Sequence, residues 1–323
     1  MNKRLLLALS AVLLLALSLL SLSLGSVRMG IDELLRAALS GAKGTDGFIF
    51  YYSRLPRTVG CIAAGFALSL SGAVLQSVLG NRLAAPGIIG VNSGAGLAVA
   101  VASAMGLASG WVFSAASFMG ALAASLAILV ISSRIRTSRS SLLLAGVSLN
   151  YILGAFSDIV VSLFPEASMA SGDFKVGGFA SISAIRLYPA AALIALASIA
   201  VIALGNELEV LSLGDEEARS LGMNASGMRI LFVVLASMLA GAAVSFSGLL
   251  GFAGLIIPNA VRRMLRGDNR LLLPLSGMLG GCFVTLCDTL ARILFRPYEI
   301  PCGIILALIG GPVFLYLVLR RDQ

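Results

Sequence analysis

Histidine is absent from the 323 residues of this chain, and charged residues make up only 12% of them. Without an imidazole, the sequence lacks the commonest ligand of haem or zinc and the commonest general base, so metal catalysis is disfavoured. The four cysteines lie within or beside apolar stretches and have no C-x-x-C spacing, which is typical of small core residues. No G-x-x-x-x-G-K-[ST] phosphate loop occurs, so the chain is not predicted to hydrolyse ATP itself.

Apolar residues are what the sequence has in abundance, at 59% of the chain, well above the share found in soluble domains. Many fall in runs of about 17–22 residues, long enough to cross a hydrocarbon layer of roughly 30 Å. The runs lie near 5–24, 57–79, 88–106, 111–132, 142–164, 187–205, 228–250, 252–265, 271–292 and 302–319. We predict an all-α polytopic membrane protein with about ten transmembrane helices in one domain, 1–323.

The formal net charge of +8 is compatible in principle with a nucleic-acid partner. The arginines, however, lie between apolar spans and form no basic stripe, so no nucleic-acid partner is predicted. With the N-terminus inside, most of the 23 Lys and Arg residues fall in inside segments, as the positive-inside rule requires. Both termini are then predicted to be cytoplasmic. The first run, after Lys3 and Arg4, is interpreted as a retained span, with a cleaved signal peptide as the alternative.

A short acidic stretch interrupts the apolar sequence between the sixth and seventh predicted spans. It contains three consecutive carboxylates, Asp215, Glu216 and Glu217. Asp215 is predicted to cap a helix start, and Gly222 to take the left-handed conformation that ends the helix. The resulting cytoplasmic helix has Ala218 and Leu221 on one side and Arg219 on another, which suits insertion into a groove of a partner protein. A solvated linker helix is the alternative.

Two acids, Asp158 and Asp288, fall within predicted spans, where a charge costs about 2.5–3.5 kcal/mol at the bilayer centre. Each therefore needs a partner. Asp288 and Arg292 are four residues apart, so one helix face brings them together as an ion pair. The alternative is that one of the two acids is a proton-coupling carboxylate.

Two stretches resemble each other: SLSGAVLQ at 69–76, followed by Pro86-Gly87, and SFSGLLGF at 245–252, followed by Pro258. They are predicted to run in opposite directions, which is typical of an inverted repeat bordering a central pathway. The pathway and gate candidates are the polar residues and prolines at this depth, namely Gln76, Pro86, Asn92, Asn150, Tyr151 and Pro258. For the polar ones, hydrogen bonding to a neighbouring helix is the alternative.

Three blocks of the sequence carry a family resemblance: SRLPRTVGCIAAGFALSLSGAVLQSVLGNRLAAPGIIGVNSGAG, GDEEARSLG and GLLGFAGLIIPNAVRRMLRGDNRLLLP. They resemble the FecCD/BtuC family of ABC importer permeases, which move iron-siderophore, haem or cobalamin, and the similarity runs from about Arg54 to the end. It implies the BtuC-like type II importer fold with ten spans, a second permease subunit, two cytoplasmic ATPases that bind ATP-Mg and an extracytoplasmic binding protein. One departure is Asn259, which stands where many members have histidine after Pro258.

The resemblance also implies residue roles. The segment that matches the family's ATPase-coupling helix comprises Gly214, Asp215, Glu216, Glu217, Ala218, Arg219, Leu221 and Gly222. Arg54, Arg57 and Arg292 match positions where the binding protein docks, and anchoring to lipid headgroups is the alternative. No cofactor or metal is predicted on this chain.

The sequence therefore predicts a non-enzymatic permease subunit that pairs with a second identical copy in the cytoplasmic (inner) membrane of a bacterium or archaeon. Its predicted cargo is an iron chelate, either a siderophore or haem, with cobalamin as the alternative. An ion-coupled secondary transporter and a non-transporting membrane scaffold are the other hypotheses.

Overall fold

The computed structural model describes residues 3–25, 29–42, 44–107, 110–135, 139–265, 271–294 and 298–319, and these residues contain no β-strand. The helices are α1 Lys3–Ser23, α2 Ile31–Ser40, α3 Gly44–Ile49, α4 Leu55–Val78, α5 Val91–Ala104, α6 Gly110–Ile135, α7 Arg139–Leu163, α8 Glu166–Val176, α9 Ala184–Ala203, α10 Gly205–Leu213, α11 Asp215–Ser220, α12 Ala225–Ser247, α13 Ala253–Leu265, α14 Leu272–Ile293 and α15 Cys302–Leu319. A π-helical turn, Phe50–Arg54, leads into α4, and a 3-10 turn, Pro86–Ile89, leads into α5. The predicted all-α class is confirmed.

Seven stretches of the described residues are long and apolar enough to cross a membrane. They lie in α1, α4 with the α3 segment before it, α6, α7, α9, α12 and α14. Helices occupy the three other predicted positions as well, but α5 and α13 have only 14 and 13 residues, and the apolar part of α15 is also short. At about 1.5 Å per residue, α5 and α13 are roughly 20 Å long, less than the hydrocarbon thickness. The count of ten crossings stays a prediction.

Helix α4 forms the centre of the bundle, and α12 and α14 pack against it. Its neighbour α12 runs antiparallel to it, because Gly60 lies beside Phe246 whereas Ser71 Oγ donates a hydrogen bond to the carbonyl of Ala236, at 2.7 Å. The opposite directions predicted for the two similar stretches are therefore observed. Both α4 and α12 are followed by an irregular segment and then by a short helix, which is α5 after α4 and α13 after α12.

Small residues allow the helices of this core to approach closely. A Cβ added to Gly72 of α4 would overlap the carbonyl of Gly254 in α13, and one added to Gly94 of α5 would overlap the carbonyl of Gly120 in α6. Such contacts give van der Waals packing in a membrane, where lipid provides no hydrophobic driving force between helices. The absence of a side chain at Gly72 and Gly94 therefore permits these helix contacts.

The two ends of the bundle are named here after the predicted orientation. The outer end holds the first turn of α4 and the last turn of α14, with Arg57 and Arg292. The inner end holds α11 and the first turn of α12. Because α4 and α12 are antiparallel, the first turn of α12 lies at the end of the bundle opposite Arg57.

Candidate functional site

Helix α11 at the inner end begins at Asp215, and Gly214 is its N-cap. Gly222 takes the predicted left-handed conformation, with φ of 81°. Asp215 does not cap the helix; its Oδ1 accepts a hydrogen bond from Nη2 of Arg229 in α12. The capping role predicted for Asp215 is wrong, because the helix starts one residue earlier and this carboxylate joins α11 to α12.

Of the two apolar residues predicted to lie on the exposed side of α11, only Leu221 is exposed. Ala218 is fully buried in the core of the chain, so it is not available to a partner. Leu221, which follows α11, is 66% exposed, and Leu213, which precedes α11 in the chain, is also exposed. The exposed charged residues of the segment are Glu216, Glu217 and Arg219. The inner end therefore presents leucines flanked by charges.

At the outer end, four charged side chains from α4, α14 and the segment before α15 form an ion-pair network. Arg57 donates from Nε and Nη2 to the carboxylate of Asp288 at 3.0–3.3 Å, and from Nη1 to Oε2 of Glu299 at 2.7 Å. Arg292 Nε lies 3.1 Å from Asp288 Oδ2, which confirms the predicted pair between residues four apart. Asp288 has no exposed surface and is the shared counter-ion of two arginines.

Two arginines also bind the C-terminal end of α1. Arg292 Nη1 donates to the carbonyls of Ser21 and Leu24 at 3.1 and 2.8 Å, and Arg54 Nη1 donates to the carbonyl of Ser23 at 3.0 Å. The last carbonyls of a helix have no partner within the helix, and the guanidinium groups supply hydrogen bonds to them. The two side chains thus join α1 to α4 and α14.

The three arginines predicted to receive a binding protein are therefore engaged inside the chain. Arg54, Arg57 and Arg292 are all buried. Arg57, however, lines an outer cavity of about 410 Å³ together with Glu299. The docking role of the three arginines stays a prediction. Of the three, Arg57 is the one in the lining of this cavity.

That cavity lies between the C-terminal end of α12, the segment after α8 and the segment before α15. Its wall includes Arg186, whose guanidinium lies 5.6 Å from the centre of the Phe113 ring. Asp173, Ala180 and Ser181 also line it and are exposed, so the cavity communicates with the surface. Its charged lining makes it suitable for a polar group.

Asp158, the second acid predicted within a span, is not buried. Its side chain on α7 is 71% exposed and accepts a hydrogen bond from Nζ of Lys175 in α8, at 3.1 Å. Of the two predicted intramembrane acids, only Asp288 is therefore enclosed by the chain itself.

The first group of pathway candidates surrounds the 3-10 turn that begins at Pro86. Asn150 of α7 donates from Nδ2 to the carbonyls of Gly87 and Ile88, at 2.8 and 3.2 Å, and its Oδ1 accepts from Ser93 Oγ at 2.5 Å. The Asn92 amide lies beside Gly87. Asn150 is thus a helix-to-turn contact, which is the alternative role considered for it.

The second group lies where α13 packs against α4. Gln76 Nε2 is 3.5 and 3.4 Å from the carbonyls of Gly254 and Leu255, and Pro258 is buried one turn further along α13. Pro86 also lies beside Gly254, and Asn259 Nδ2 donates to the carbonyl of Arg82 at 2.8 Å. The structure therefore brings the segments around Pro86 and Pro258 together. Tyr151 is the exception among the six candidates, because it is strongly exposed on α7.

Helix α7 has an unusual exposed face. Only 11% of its candidate span is buried, and the exposed residues include Ser148, Tyr151, Asp158 and Ser162. Helix α1 is similarly peripheral, at 17% buried, but its exposed residues between Leu5 and Leu20 are all Leu, Val or Ala. Lipid suits the α1 face, whereas polar groups at membrane depth normally face protein or a water-filled cavity.

The sequence indicated no site role for three residues that the structure places in these sites: Arg229, Glu299 and Asn259. The need of Arg57 for a counter-ion within an apolar span was a usable signal, but the pairing depends on how α4, α14 and the segment before α15 pack. Among the residues that the structure describes, no group of three His, Cys, Asp or Glu side chains is arranged to hold a metal ion.

Comparison with known proteins gives a consistent result. Residues 13–320 match the FecCD transport family. The hemin transport system permease protein HmuU of Yersinia pestis is 34% identical over 310 residues, covering 94% of this chain and 93% of that protein. The vitamin B12 import system permease protein BtuC of Salmonella paratyphi A is 35% identical and covers 100% and 97%. The Fe(3+)-citrate import system permease protein YfmE of Bacillus subtilis is 34% identical and covers 95% and 92%.

Solved structures agree with the sequence relatives. One, described as a metal-chelate type ABC transporter in an inward-facing conformation, superposes with a TM-score of 0.88 at 28% identity, covering 99% of this chain and 100% of the other. PsaBC from Streptococcus pneumoniae in complex with Fab has a TM-score of 0.61 at 15% identity, covering 89% and 95%, which shows a shared fold.

Proposed function

This chain belongs to the FecCD transport family of ABC importer permeases, and we propose that it is the membrane-spanning subunit of an ATP-driven importer of iron chelates, either siderophores or haem. The chain itself is a transport component. Partner ATPase subunits hydrolyse ATP-Mg in the cytosol, and this chain binds no cofactor. The protein lies in the cytoplasmic (inner) membrane with both termini inside and ten helices crossing or entering the bilayer.

The observation that carries the proposal is the construction of the inner end. Helix α11 projects exposed Leu221 and a set of charged side chains, while buried Ala218 and the ion pair from Asp215 to Arg229 hold the helix against the bundle. Because α11 is held rigidly in this way, a partner that binds its exposed surface and moves it also moves α12. An ATPase dimer is the partner that this surface suits.

A second copy of the chain is proposed to face α7. The polar residues on the exposed face of this helix, Ser148, Tyr151, Asp158 and Ser162, are unfavourable in contact with lipid tails. Two copies related by a twofold axis would place these faces around a shared central pathway. Tyr151 is the proposed pathway candidate on this face, and Gln76, Asn92, Asn150, Pro86 and Pro258 are proposed to support the gates behind it.

At the outer end, we expect an extracytoplasmic binding protein to deliver the cargo. Arg57 is the proposed docking residue with direct access, because it lines the outer cavity. Arg54 and Arg292 contribute by holding α1 against the same end of the bundle. A partner carboxylate that reaches Arg57 through this cavity would form a charge-assisted hydrogen bond with it.

The relatives support an iron chelate as cargo, since HmuU and YfmE are named for hemin and Fe(3+)-citrate transport. BtuC, with comparable identity, is named for vitamin B12 import, so cobalamin is the alternative cargo. An ion-coupled carrier is less well supported, because Asp288 is the counter-ion of two arginines and Asp158 pairs with Lys175.

The test is ATP hydrolysis by the importer assembled from this chain, its ATPase subunits and its binding protein in lipid nanodiscs. Binding protein loaded with haem or with a ferric siderophore should stimulate hydrolysis, whereas cobalamin should not. Stimulation by cobalamin alone would replace the iron assignment with the alternative cargo. Absence of any ATPase partner that binds the chain would remove the importer assignment.

A further inference from the structure

Arg57 divides its hydrogen bonds between two carboxylates of different kinds. Its Nε and Nη2 bind Asp288, which is fully buried and also held by Arg292. Its Nη1 binds Glu299 at 2.7 Å, and the Glu299 side chain is 32% exposed on the non-helical segment before α15. One side of the guanidinium is thus fixed inside the bundle, and the other holds a carboxylate that water reaches.

The charges of this network balance. Asp288 and Glu299 carry two negative charges, and Arg57 and Arg292 carry two positive ones. Removal of Glu299 from Arg57 leaves this network with one unmatched positive charge at the wall of the 410 Å³ cavity. A carboxylate entering from that cavity would restore the balance.

We propose that Glu299 is an internal competitor that occupies Arg57 Nη1 until a carboxylate of the extracytoplasmic binding protein replaces it. This inference rests on the proposed docking of that protein at Arg57. The exchange swaps one charge-assisted hydrogen bond for another of the same type, so it costs little free energy and is reversible. Asp288 keeps Arg57 oriented throughout.

The exchange also affects the segment before α15, which contains Glu299. Glu299 lies three residues before the first residue of α15, and the backbone of Gly303 in the first turn of α15 donates to the carbonyl of Gly177, at 3.1 Å. Release of Glu299 removes a side-chain link between the segment before α15 and α4. Docking at the outer end would therefore loosen the segment around Glu299, while the backbone hydrogen bond from Gly303 to Gly177 still holds the first turn of α15.

The first test measures affinity of the binding protein for the importer complex in nanodiscs. Glu299→Gln removes the competing charge while keeping the side-chain size, and we expect it to lower the Kd by about two- to fivefold, the range for a partly exposed ion pair. Glu166→Gln is the matched control, because it removes an exposed acid from the start of α8, outside the cavity lining. It should leave the Kd unchanged.

Arg57→Lys separates this inference from the proposed docking. Lysine keeps the charge beside Asp288 but cannot bind two carboxylates through a fork, so docking at Arg57 predicts a higher Kd. An unchanged Kd in Arg57→Lys would contradict docking at this residue and the exchange with it. A raised Kd in Arg57→Lys together with an unchanged or raised Kd in Glu299→Gln would overturn the exchange alone.

The mobility of a spin label attached at Tyr298→Cys is a further test. If Glu299 had only a structural role, the binding protein would not increase this mobility. Tyr298 is strongly exposed beside Glu299, and the four native cysteines are buried, so the label is selective. We expect the binding protein to increase label mobility, and Glu299→Gln to produce the same increase without it. If the binding protein left the mobility of the label unchanged, or lowered it, the exchange would be refuted.

Discussion

Oδ1 of Asp215 in α11 accepts a hydrogen bond from Nη2 of Arg229 in α12, 14 residues further along the chain. This ion pair and the burial of Ala218 hold the inner-end helix against the bundle. We propose that a force applied to the exposed side of α11 is passed to α12.

The first prediction concerns this ion pair. Arg229→Gln should reduce the amount of cargo transported per ATP hydrolysed by several-fold, because α11 moves more freely relative to α12. ATPase binding should change little, since the exposed Leu221 remains. Exchange of the two charges, Asp215→Arg with Arg229→Asp, should recover part of the coupling. A coupling ratio that stays at the wild-type value in Arg229→Gln would contradict the proposed passage of force from α11 to α12.

The second prediction concerns the exposed leucine after α11. Leu221→Ser should weaken ATPase binding by about tenfold, since removing an anchor from a desolvated pocket costs roughly 1–2 kcal/mol. Leu39→Ser is the matched control, because Leu39 is also strongly exposed but lies on α2, which follows the first predicted span and so faces outside when the N-terminus is inside. Affinity is measured by co-purification and titration in nanodiscs. Equal effects of the two variants would remove Leu221 from the ATPase contact.

The third prediction concerns the close approach of α4 and α13. Gly72→Ala places a methyl group onto the Gly254 carbonyl, and we expect a loss of about 1–3 kcal/mol in stability. Gly96→Ala is the control, because a Cβ there meets no heavy atom within 4 Å. That substitution should be neutral or stabilising by up to about 1 kcal/mol through helix propensity. Thermal unfolding of the purified chain in detergent distinguishes the two, and a stable Gly72→Ala variant would argue against this packing.

The fourth prediction compares the two acids of the apolar helices. Asp288→Asn leaves Arg57 and Arg292 without their buried counter-ion, and we expect about 3–5 kcal/mol of destabilisation. Asp158→Asn removes an exposed pair with Lys175, and its effect should stay below about 1 kcal/mol. Detergent unfolding curves provide the measurement. Similar midpoints for the two variants would show that the Asp288 network does not support the fold.

The sequence predicted those features that depend on residues close together in the chain. The pair of Asp288 and Arg292 follows from helical spacing, and the left-handed Gly222 follows from its place after a short helix. The helical class and the positions of the helices follow from the long apolar runs, because such runs must bury or shield their backbone polar groups.

Features that depend on packing between distant segments were not predictable in the same way. Whether Arg57 faces water or Asp288 depends on how α4 is rotated against α14, and no local pattern encodes that rotation. Ala218 was assigned to the exposed side of α11 for the same reason, whereas the fold turns it inward. The meeting of the segments around Pro86 and Pro258 depends on contacts of Gly254 with Pro86 and Gln76, which are far from it in the chain.

We propose that an external ATPase drives this chain through α11. The decisive measurement is iron-chelate uptake into vesicles that contain the chain with or without its ATPase subunits, in the presence of ATP or of an imposed ion gradient. We predict accumulation only when the ATPase subunits and ATP are both present. Accumulation by the chain alone under an ion gradient would contradict the account.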